Sequence, residues 1–525
     1  MESTGQFLWE YVAKWAAEKP DAEAIVFGDT RITWAQLDDA VNRTARAFLE
    51  AGVEKGDCIA MISMARPEFL IAFMAAAKVS AIWTGLSPRF SVGEMGRILR
   101  DCRPSILITL DRYEDANLTE RALTFSFGLS SIREILVIGK EVSGTVAFDA
   151  FIDSPRADWD TALVERIADA DPEDEVLLMY TSGSSGMPKG VLHTHETILS
   201  NVAQQHELFE INSDSRILLH FPINHVAADV EIGFCAVYAG ACIVMMDRFD
   251  PGATLDTIGR EKITVLGQIP PMYLLEMGHE KFSSADWSSV KTFVWGGSSA
   301  PRTMLDALDE ISRRTGARLV TGYGATELGG FVTATRPEDT VEQLGEQAGI
   351  LYANCEMRIV DEHRKPLPPG EMGEIAIRGP VLMKGYLNSP GRTSEVLDDE
   401  GWYYTKDLGR VNKDGALVIC GRSNDMYKTN GENVFPCEVE NVLEAHPTVL
   451  YSAAIAVPDA IHDEVAHAHV MVVPGTQTTS EALMAWCKEH LAPFRVPKTI
   501  TVHDALPLLA NGKVDRLKLR EITEE

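Results

Sequence analysis

VLLMYTSGSSGMPKG, residues 176–190, decides how the rest of the chain is read. Its first four residues, Val176 to Met179, are a continuous apolar run that suits a buried strand ending at a turn. The next eleven hold three glycines and four Ser/Thr hydroxyls. A loop of that composition, with Thr181, Ser182, Gly183, Ser184, Ser185 and Gly186 along it, wraps backbone N–H groups and hydroxyls around phosphate oxygens. Lys189 adds a cation for charge that develops there. The competing reading is a flexible Ser/Gly linker, and the strand before it and the Pro-Lys-Gly ending argue against that. The GxxxxGK[ST] phosphate loop is not met, because Pro188 precedes Lys189 and Gly190 follows it.

Outward from this loop, the first 170 residues or so alternate helical and strand-like patterns. Residues 34–52, WAQLDDAVNRTARAFLEAG, carry apolar side chains at helical spacing and stop at a glycine. Residues 58–64 read as a short strand, 69–81 as a buried helix and 106–110 as another strand. That alternation implies α/β layers, and it continues to about residue 332. From 357 to 409 it gives way to short strands split by Gly and Pro, as in RIVDEHRKPLPPGEMGEIAIRGP (358–380), which predicts a small β-rich subdomain. A polar stretch after Gly421 and Arg422 leads into a compact α+β pattern. A hinge is expected there, dividing the chain into 1–422 and 423–525.

Three more segments carry side chains suited to nucleotide chemistry. TGYGATELGG (321–330) follows the apolar pair Leu319-Val320. Glycines on either side of Tyr323 let a planar base slide against the backbone, with the ring as a wall. Thr326 and Glu327 offer hard oxygens of the kind Mg²⁺ takes when shared with phosphates. Alone, a Thr-Glu pair after a turn is more often the start of a helix. GWYYTKDLG (401–409) presents Asp407, a carboxylate able to accept from both ribose hydroxyls, with Arg422 to reinforce it; in isolation Asp407 reads as a turn residue. PLLANGKVDR (507–516) has an Asn511-Gly512 turn that puts Lys513 at its tip, where a lone lysine otherwise serves solubility.

The whole chain limits the field of functions. It has 525 residues, too many for one simple core. Hydrophobic residues are 45% and charged residues 24%, as in soluble globular proteins. A formal net charge of −29 argues against nucleic acid or an anionic membrane as partner while leaving room for a local basic pocket. The start, MESTGQFLWEYVAKW, shows no secretory pattern. The longest apolar stretches, 69–86 (interrupted by Lys78) and 232–246, read as buried elements; the second falls short of the roughly 20 residues a span needs. Eight scattered cysteines, without CxxC or a histidine cluster, indicate neither zinc nor a disulfide framework, so a cytoplasmic location is expected.

Taken in order, the four segments resemble the acyl-adenylate-forming superfamily of acyl-CoA synthetases, peptide-synthetase adenylation domains and luciferases. The likeness begins with ITWAQLDDAVNRTARAFLEAGVEKGD (32–57) and ends with the NGK of 511–513, nearly the whole chain. It implies a multi-subdomain α/β fold: a large N-terminal domain of two α/β sheets plus a β-barrel-like part, and a small mobile α+β C-terminal lid. It implies ATP, Mg²⁺ and coenzyme A as cofactors and a carboxylic acid as substrate. The acid would be activated as an acyl-adenylate and passed to CoA, with AMP and pyrophosphate released. By this resemblance the loop from Thr181 to Gly186 and Lys189 hold the triphosphate, and Glu327 with Thr181 binds Mg²⁺. Gly297, Ser298, Ser299 and Ala300 (in WGGSSAP) line the adenine together with Thr321, Gly322, Tyr323, Gly324, Ala325 and Thr326, while Asp407 and Arg422 hold the ribose. Lys513 bridges carboxylate and phosphate in the first half-reaction, stabilising charge rather than taking a proton.

His225, in FPINHVAA, matches the family's gating histidine, against the alternative of a satisfied core histidine. Ala227, Gly297 and Gly322 are expected to line the acyl pocket beside it. The family's lid rotates between half-reactions, with the hinge falling on Asn424, where relatives more often have Asp or Lys. Gly431, in TNGENVFP, matches the glycine that lets the pantetheine arm pass. Asp463 stands where many relatives have glycine, and Arg89, in LSPRF, is a candidate contact for a CoA phosphate. Acetate-type relatives block the pocket with a Trp in the segment matching TGYG. Gly322 and the small Ala227 and Ala228 therefore imply an acid larger than acetate: aromatic, alicyclic or medium-chain. The alternative is a stand-alone adenylation enzyme that loads an acyl or amino acid onto a carrier protein. Matching the family's FDxSxxEIFGAL on Glu231-Ile232 puts Val226 in the slot of the amine-gripping Asp, which disfavours an amino acid, though Asp229 is close. No membrane span and no nucleic-acid partner are expected, and the oligomeric state is left open, a homodimer included.

Overall fold

A computed structural model of the chain describes residues 5–153, 159–181, 188–423, 425–459, 461–473, 476, 478–507 and 514–524. Two large sheets set the architecture. The first runs, in spatial order, Arg318–Thr321, Thr292–Trp295, Val265–Gln268, Arg216–Leu219, Cys242–Met245, Glu23–Phe27 and Thr30–Thr33. All its neighbours are parallel except the last pair, a hairpin at one edge. The second has eight strands, with Glu175–Thr181 lying between Ile82–Leu86, which it pairs in parallel, and Lys189–Thr194, which it pairs antiparallel. Parallel strands need both faces covered. The helix Pro67–Lys78 meets that need from the inside, because every one of its residues except Glu68 is buried.

Local signals explain where the elements stop. The helix Trp34–Glu50 starts at a capping box: Thr33 Oγ1 accepts from the Gln36 amide at 3.3 Å, and Gln36 Oε1 from the Thr33 amide at 2.9 Å. The buried helix expected over 69–81 begins two residues earlier, because Pro67 supplies a fixed φ at its first turn. It ends at Lys78, where Ser80 turns left-handed at φ 54° to enter the strand Ile82–Leu86. The apolar run 232–246 is several elements. A π-helix, Ala227–Phe234, passes into the short helix Cys235–Ala239, and Gly240 at φ 73° then turns the chain into the strand Cys242–Met245. A Cβ on Gly240 would lie 2.4 Å from the Trp15 ring, so glycine is required there for packing as well as for conformation.

The β-rich region is a four-stranded antiparallel sheet of Glu356–Val360, Gly373–Arg378, Tyr403–Val411 and Leu417–Arg422. Beyond it, Tyr427–Thr429, Glu432–Val434, Val449–Asp459, Asp463–Val472 and Thr499–His503 form a sheet of their own. The helices Pro436–Glu444 and Ser480–His490 contribute Val439, Leu443, Leu483 and Cys487 to its core. Among the described residues no helix is long and apolar enough to cross a membrane.

Candidate active site

The strand and hairpin around the glycine-rich loop place its two ends together. Thr181 and Lys189 are cross-strand partners, so the hydroxyl and the ammonium stand side by side where the hairpin opens. Ser182, Gly183, Ser184, Ser185 and Gly186 lie outside the described residues. Lys189 Nζ sits 5.0 Å from the centroid of the Tyr386 ring. Burial lowers its ammonium below the ordinary value against the opposing pull of Glu327.

Thr326 and Glu327 open a single 3₁₀ turn that closes at Gly329, φ 69°. The pair starts a helical turn, and Glu327 lines the cleft. Glu327 Oε1 accepts from the Tyr386 hydroxyl at 2.9 Å. Behind the turn, the buried His193 donates from Nε2 to the Thr326 carbonyl at 2.7 Å and meets the Thr197 hydroxyl at Nδ1, 3.1 Å. Burial pulls this imidazole down to about 4, so it is neutral at pH 7 and acts as a fixed strut.

On the facing side, Asp407 and Arg422 are partners across neighbouring strands. Arg422 Nε donates to Asp407 Oδ1 at 3.1 Å, and the Tyr323 hydroxyl donates to Oδ2 at 2.6 Å. The Tyr323 ring lines the cleft, as do Thr321, Gly324 and Ala325. Its backbone is pinned by the Thr333 hydroxyl, which accepts from the Tyr323 amide at 2.7 Å. Gly297, at φ 84°, turns the chain from the strand Thr292–Trp295 so that Ser298, Ser299 and Ala300 reach the same cleft.

These groups share one cleft of about 2390 Å³. It continues into a largely apolar recess walled by Phe209, Ile217, Phe221, Ile232, Val265 and Phe331. His225 stands at this recess with its ring roughly parallel to Phe221, centroids 6.4 Å apart. Its Nδ1 accepts from the Ala227 amide at 3.1 Å, which leaves Nε2 as the protonated nitrogen of the neutral ring. Ala227 lines the recess too, whereas Ala228 is fully buried away from it.

One expectation is corrected. Gly322 borders the cleft, but it does not hold acyl space open: a Cβ there would sit 2.1 Å from the Thr333 carbonyl oxygen. The missing side chain points at the neighbouring backbone, so a larger residue at 322 collides with the fold instead of filling a pocket. Asp229 is likewise no amine grip. It is fully buried outside the cleft beside Trp83, where burial holds its carboxyl well above the usual range.

Other expected residues are less central. Arg89, exposed at the rim, donates from Nε to the Tyr113 hydroxyl at 3.0 Å. Gly431, at φ 83°, sits with Asn430 at the tip of the hairpin joining Tyr427–Thr429 to Glu432–Val434, and it does not line the cleft. Asp463 takes φ 67°, the left-handed conformation that explains a preference for glycine at its position. Asn424 and Lys513 lie outside the described residues. Val514 and Asp515 line the cleft, and the Asp515 amide donates to the Pro507 carbonyl at 2.8 Å.

Tyr386, His193, Gln205 and Glu231 are site residues that the sequence reading passed over. Tyr386 lies in KGYLN, where nothing in composition or spacing marks a lone tyrosine. The donor set tests Mg²⁺ favourably. Glu327 and Thr181 are hard oxygens that line one cleft. An ion held here would complete its shell with phosphates and water, as Mg²⁺ does.

Comparison with known proteins agrees with this geometry. The family model for AMP-binding enzymes matches residues 12–387, and that for the AMP-binding enzyme C-terminal domain matches 438–513. A feruloyl-CoA synthase of Amycolatopsis sp is 33% identical, covering 98% of this chain and 99% of that protein. An indoleacetate–CoA ligase of Aromatoleum aromaticum is 32% identical over 98% of each. Among solved structures, an anthranilate CoA ligase in complex with anthranoyl-AMP superposes with a TM-score of 0.89 at 25% identity, covering 99% of this chain and 97% of that one. An amide bond synthetase of Marinactinospora thermotolerans follows at 0.85 and 27%, covering 98% and 99%.

Proposed function

The chain belongs to the AMP-binding enzymes, in their acyl-CoA synthetase branch, and on that premise we propose that it is an AMP-forming ligase joining an acid larger than acetate to coenzyme A. The observation that carries this reading is the shared cleft. A carboxylate held by a tyrosine and an arginine, a lysine beside a second carboxylate, and an apolar recess all open on one space.

In the first step an oxygen of the acid's carboxylate attacks the α-phosphorus of ATP, and the bond to the bridging oxygen breaks to release pyrophosphate. Asp407, oriented by Tyr323 and Arg422, accepts from the ribose hydroxyls. Tyr323 and the 297–300 segment hold the base. Lys189 and the Thr181 hydroxyl face the phosphates, where a fixed cation stabilises charge as it forms. Glu327 and Thr181 would hold Mg²⁺, which neutralises phosphate charge when bound. Lys513 supplies the second cation of this step. In the second step the CoA thiolate attacks the acyl carbon, and AMP leaves with the electrons of the acyl–oxygen bond. His225 borders the acyl group in both. We place the division of the chain at 422/423, with Asn424 as the hinge that swings the 423–525 lid between steps. Arg89 at the rim is assigned to a CoA phosphate and Gly431 to the pantetheine path.

The recess supports an aromatic, alicyclic or medium-chain acid: its walls are apolar and aromatic, and Ala227 presents only a methyl group. The test is a panel of acetate, octanoate, cyclohexanecarboxylate, benzoate and phenylpropenoate, assayed for thioester, AMP and pyrophosphate. ATP- and CoA-dependent thioester with the larger acids is expected. Pyrophosphate release without thioester would replace CoA by a carrier-protein or amine acceptor.

A further inference from the structure

Lys189 and Glu327 bring opposite charges to one cleft, yet among the described residues no ion pair joins them, and each meets Tyr386 instead. The strand register explains how one side chain reaches both. The two-residue strand Gly385–Tyr386 runs antiparallel to Lys189–Thr194 with Tyr386 opposite Val191. Side chains at 189 and 191 share one face of the sheet, and directly opposed partners share a face as well. Tyr386 is therefore the diagonal neighbour of Lys189. Thr181, opposite Lys189 on its other side, completes a row of three on that face. The Tyr386 ring centroid lies 5.0 Å from Lys189 Nζ, a cation–π distance, and the hydroxyl donates to Glu327 Oε1 at 2.9 Å.

Tyr386 is itself firmly held. It is 5% exposed, its amide donates to the Thr393 hydroxyl at 2.9 Å, and its carbonyl accepts from the Ser389 amide at 3.1 Å. The Met383 amide donates to the Glu327 carbonyl at 2.9 Å, which ties the backbone bearing the carboxylate to the segment bearing the phenol. A lysine and a carboxylate left side by side in a partly desolvated cleft attract each other strongly. Once paired, they would offer neither a cation to phosphate nor an open carboxylate to a metal. An aromatic face attracts the ammonium without neutralising it, and a hydroxyl orients the carboxylate without removing its charge. Resting on the ligase reading above, we propose that Tyr386 is a positioning residue for the nucleotide phosphates. Its ring and hydroxyl hold Lys189 and Glu327 apart, so that the first stays available to phosphate oxygens and the second to Mg²⁺.

The experiment titrates ATP into the full-length protein by calorimetry, without acid or CoA, once with Mg²⁺ and once with EDTA. Mg²⁺ should tighten ATP binding to the wild type. Tyr386→Phe keeps the ring and loses the hydroxyl. That tightening should shrink by about tenfold or more, as expected from removing a hydrogen bond to a charged group, while affinity in EDTA stays within about threefold. Tyr386→Leu removes ring and hydroxyl together, so Lys189 pairs with Glu327 and affinity in EDTA falls by about tenfold as well. Adding Glu327→Gln to Tyr386→Leu takes away that partner and should return most of the affinity in EDTA, a recovery that a merely structural tyrosine would not give. Thermal unfolding checks that each variant is folded, and Tyr386→Phe, which removes one oxygen, carries the test if Tyr386→Leu does not fold. An undiminished Mg²⁺ effect in Tyr386→Phe, or a Tyr386→Leu defect that Glu327→Gln leaves in place, overturns this inference, and thioester formed by the wild type then keeps the ligase reading. No ATP binding and no thioester from the wild type overturn both.

Discussion

Tyr323 and Asp407, 84 residues apart in sequence, are joined by a 2.6 Å hydrogen bond from hydroxyl to carboxylate. The bond couples the two walls of the cleft, because Tyr323 belongs to the loop after the strand Arg318–Thr321 and Asp407 to the four-stranded antiparallel sheet. Arg422 takes the other carboxylate oxygen at 3.1 Å, so Asp407 is oriented before any nucleotide arrives. Asp407→Ala should therefore raise the KM for ATP by about ten- to a hundredfold, as expected from losing charge-assisted hydrogen bonds worth about 1.5–3 kcal/mol. Initial rates at varied ATP and saturating acid check this. A change confined to the KM for the acid would remove Asp407 from the nucleotide.

Lys513→Ala should lose adenylate formation from acid and ATP by about two orders of magnitude or more, since it removes a cation from the charge-developing site. Thioester formation from supplied acyl-adenylate and CoA should be largely kept. The two half-reactions are measured separately, by pyrophosphate exchange and by thioester release. Equal loss in both contradicts a lysine that leaves the site in the second step.

The strand at the start of 176–190 was legible because a continuous apolar run writes itself into local composition. The structure has the strand Glu175–Thr181 there, with Thr181 opposite Lys189. What could not be read were pairings made across the fold. Tyr386 carries no local mark, yet it holds the Glu327 carboxylate. Gln205 and Glu231 look like polar positions of amphipathic helices and face an interior cavity instead. Gly322 misled in the opposite direction: a missing side chain looks the same in sequence whether it leaves a void or lets two backbones approach. Here the Thr333 carbonyl occupies the space.

Gly431 tests a similar ambiguity in the C-terminal part of the chain. With Asn430 at φ 54° and Gly431 at φ 83°, the hairpin has the left-handed two-residue tip that Asn-Gly favours. A Cβ meets nothing within 4 Å, so the cost of Gly431→Leu in the folded domain is conformational, roughly 1–2 kcal/mol. If pantetheine passes here, Gly431→Leu collapses thioester output while pyrophosphate exchange persists, and Gly431→Asn, which tolerates the same φ, retains more of both. Parallel loss of both half-reactions would make Gly431 a folding residue alone.

Glu276 gives the fold a pH dependence. It is fully buried, with Oε2 accepting from Gln268 Nε2 at 2.9 Å, and burial pushes its carboxyl from 4.5 up to about 8. Below the ordinary value both folded and unfolded chains hold the proton, and the neutral acid stabilises the fold in full. As pH rises through that value toward 8, the unfolded chain releases the proton while the native one keeps it. Stability then falls by up to roughly 1.4 kcal/mol per pH unit. Glu276→Gln lacks that term. Denaturant unfolding at pH 5, 6.5 and 8 should show the variant gaining on the wild type as pH rises, and a gap independent of pH would mean that Glu276 is ionised in the native state.

The acyl recess and the Gly322 backbone contact predict opposite outcomes for two small-to-large changes. Ala227 lines the recess, so Ala227→Phe would add volume where the proposed acid would lie. Crowding of roughly 1–3 kcal/mol would cut kcat/KM for bulky acids by about ten- to a hundredfold and spare short ones, which reorders the acid panel. At Gly322 even Ala brings a Cβ to 2.1 Å from the Thr333 carbonyl oxygen and 2.9 Å from Phe331 Cδ1. The collision is with backbone and cannot be relieved by a rotamer change. Gly322→Ala should therefore lower the unfolding temperature and depress the rate with every acid alike, without changing their order. Thermal unfolding and the acid ranking, measured on both variants, separate the two positions. A reordered panel for Gly322→Ala at unchanged stability would place residue 322 on the acyl group after all.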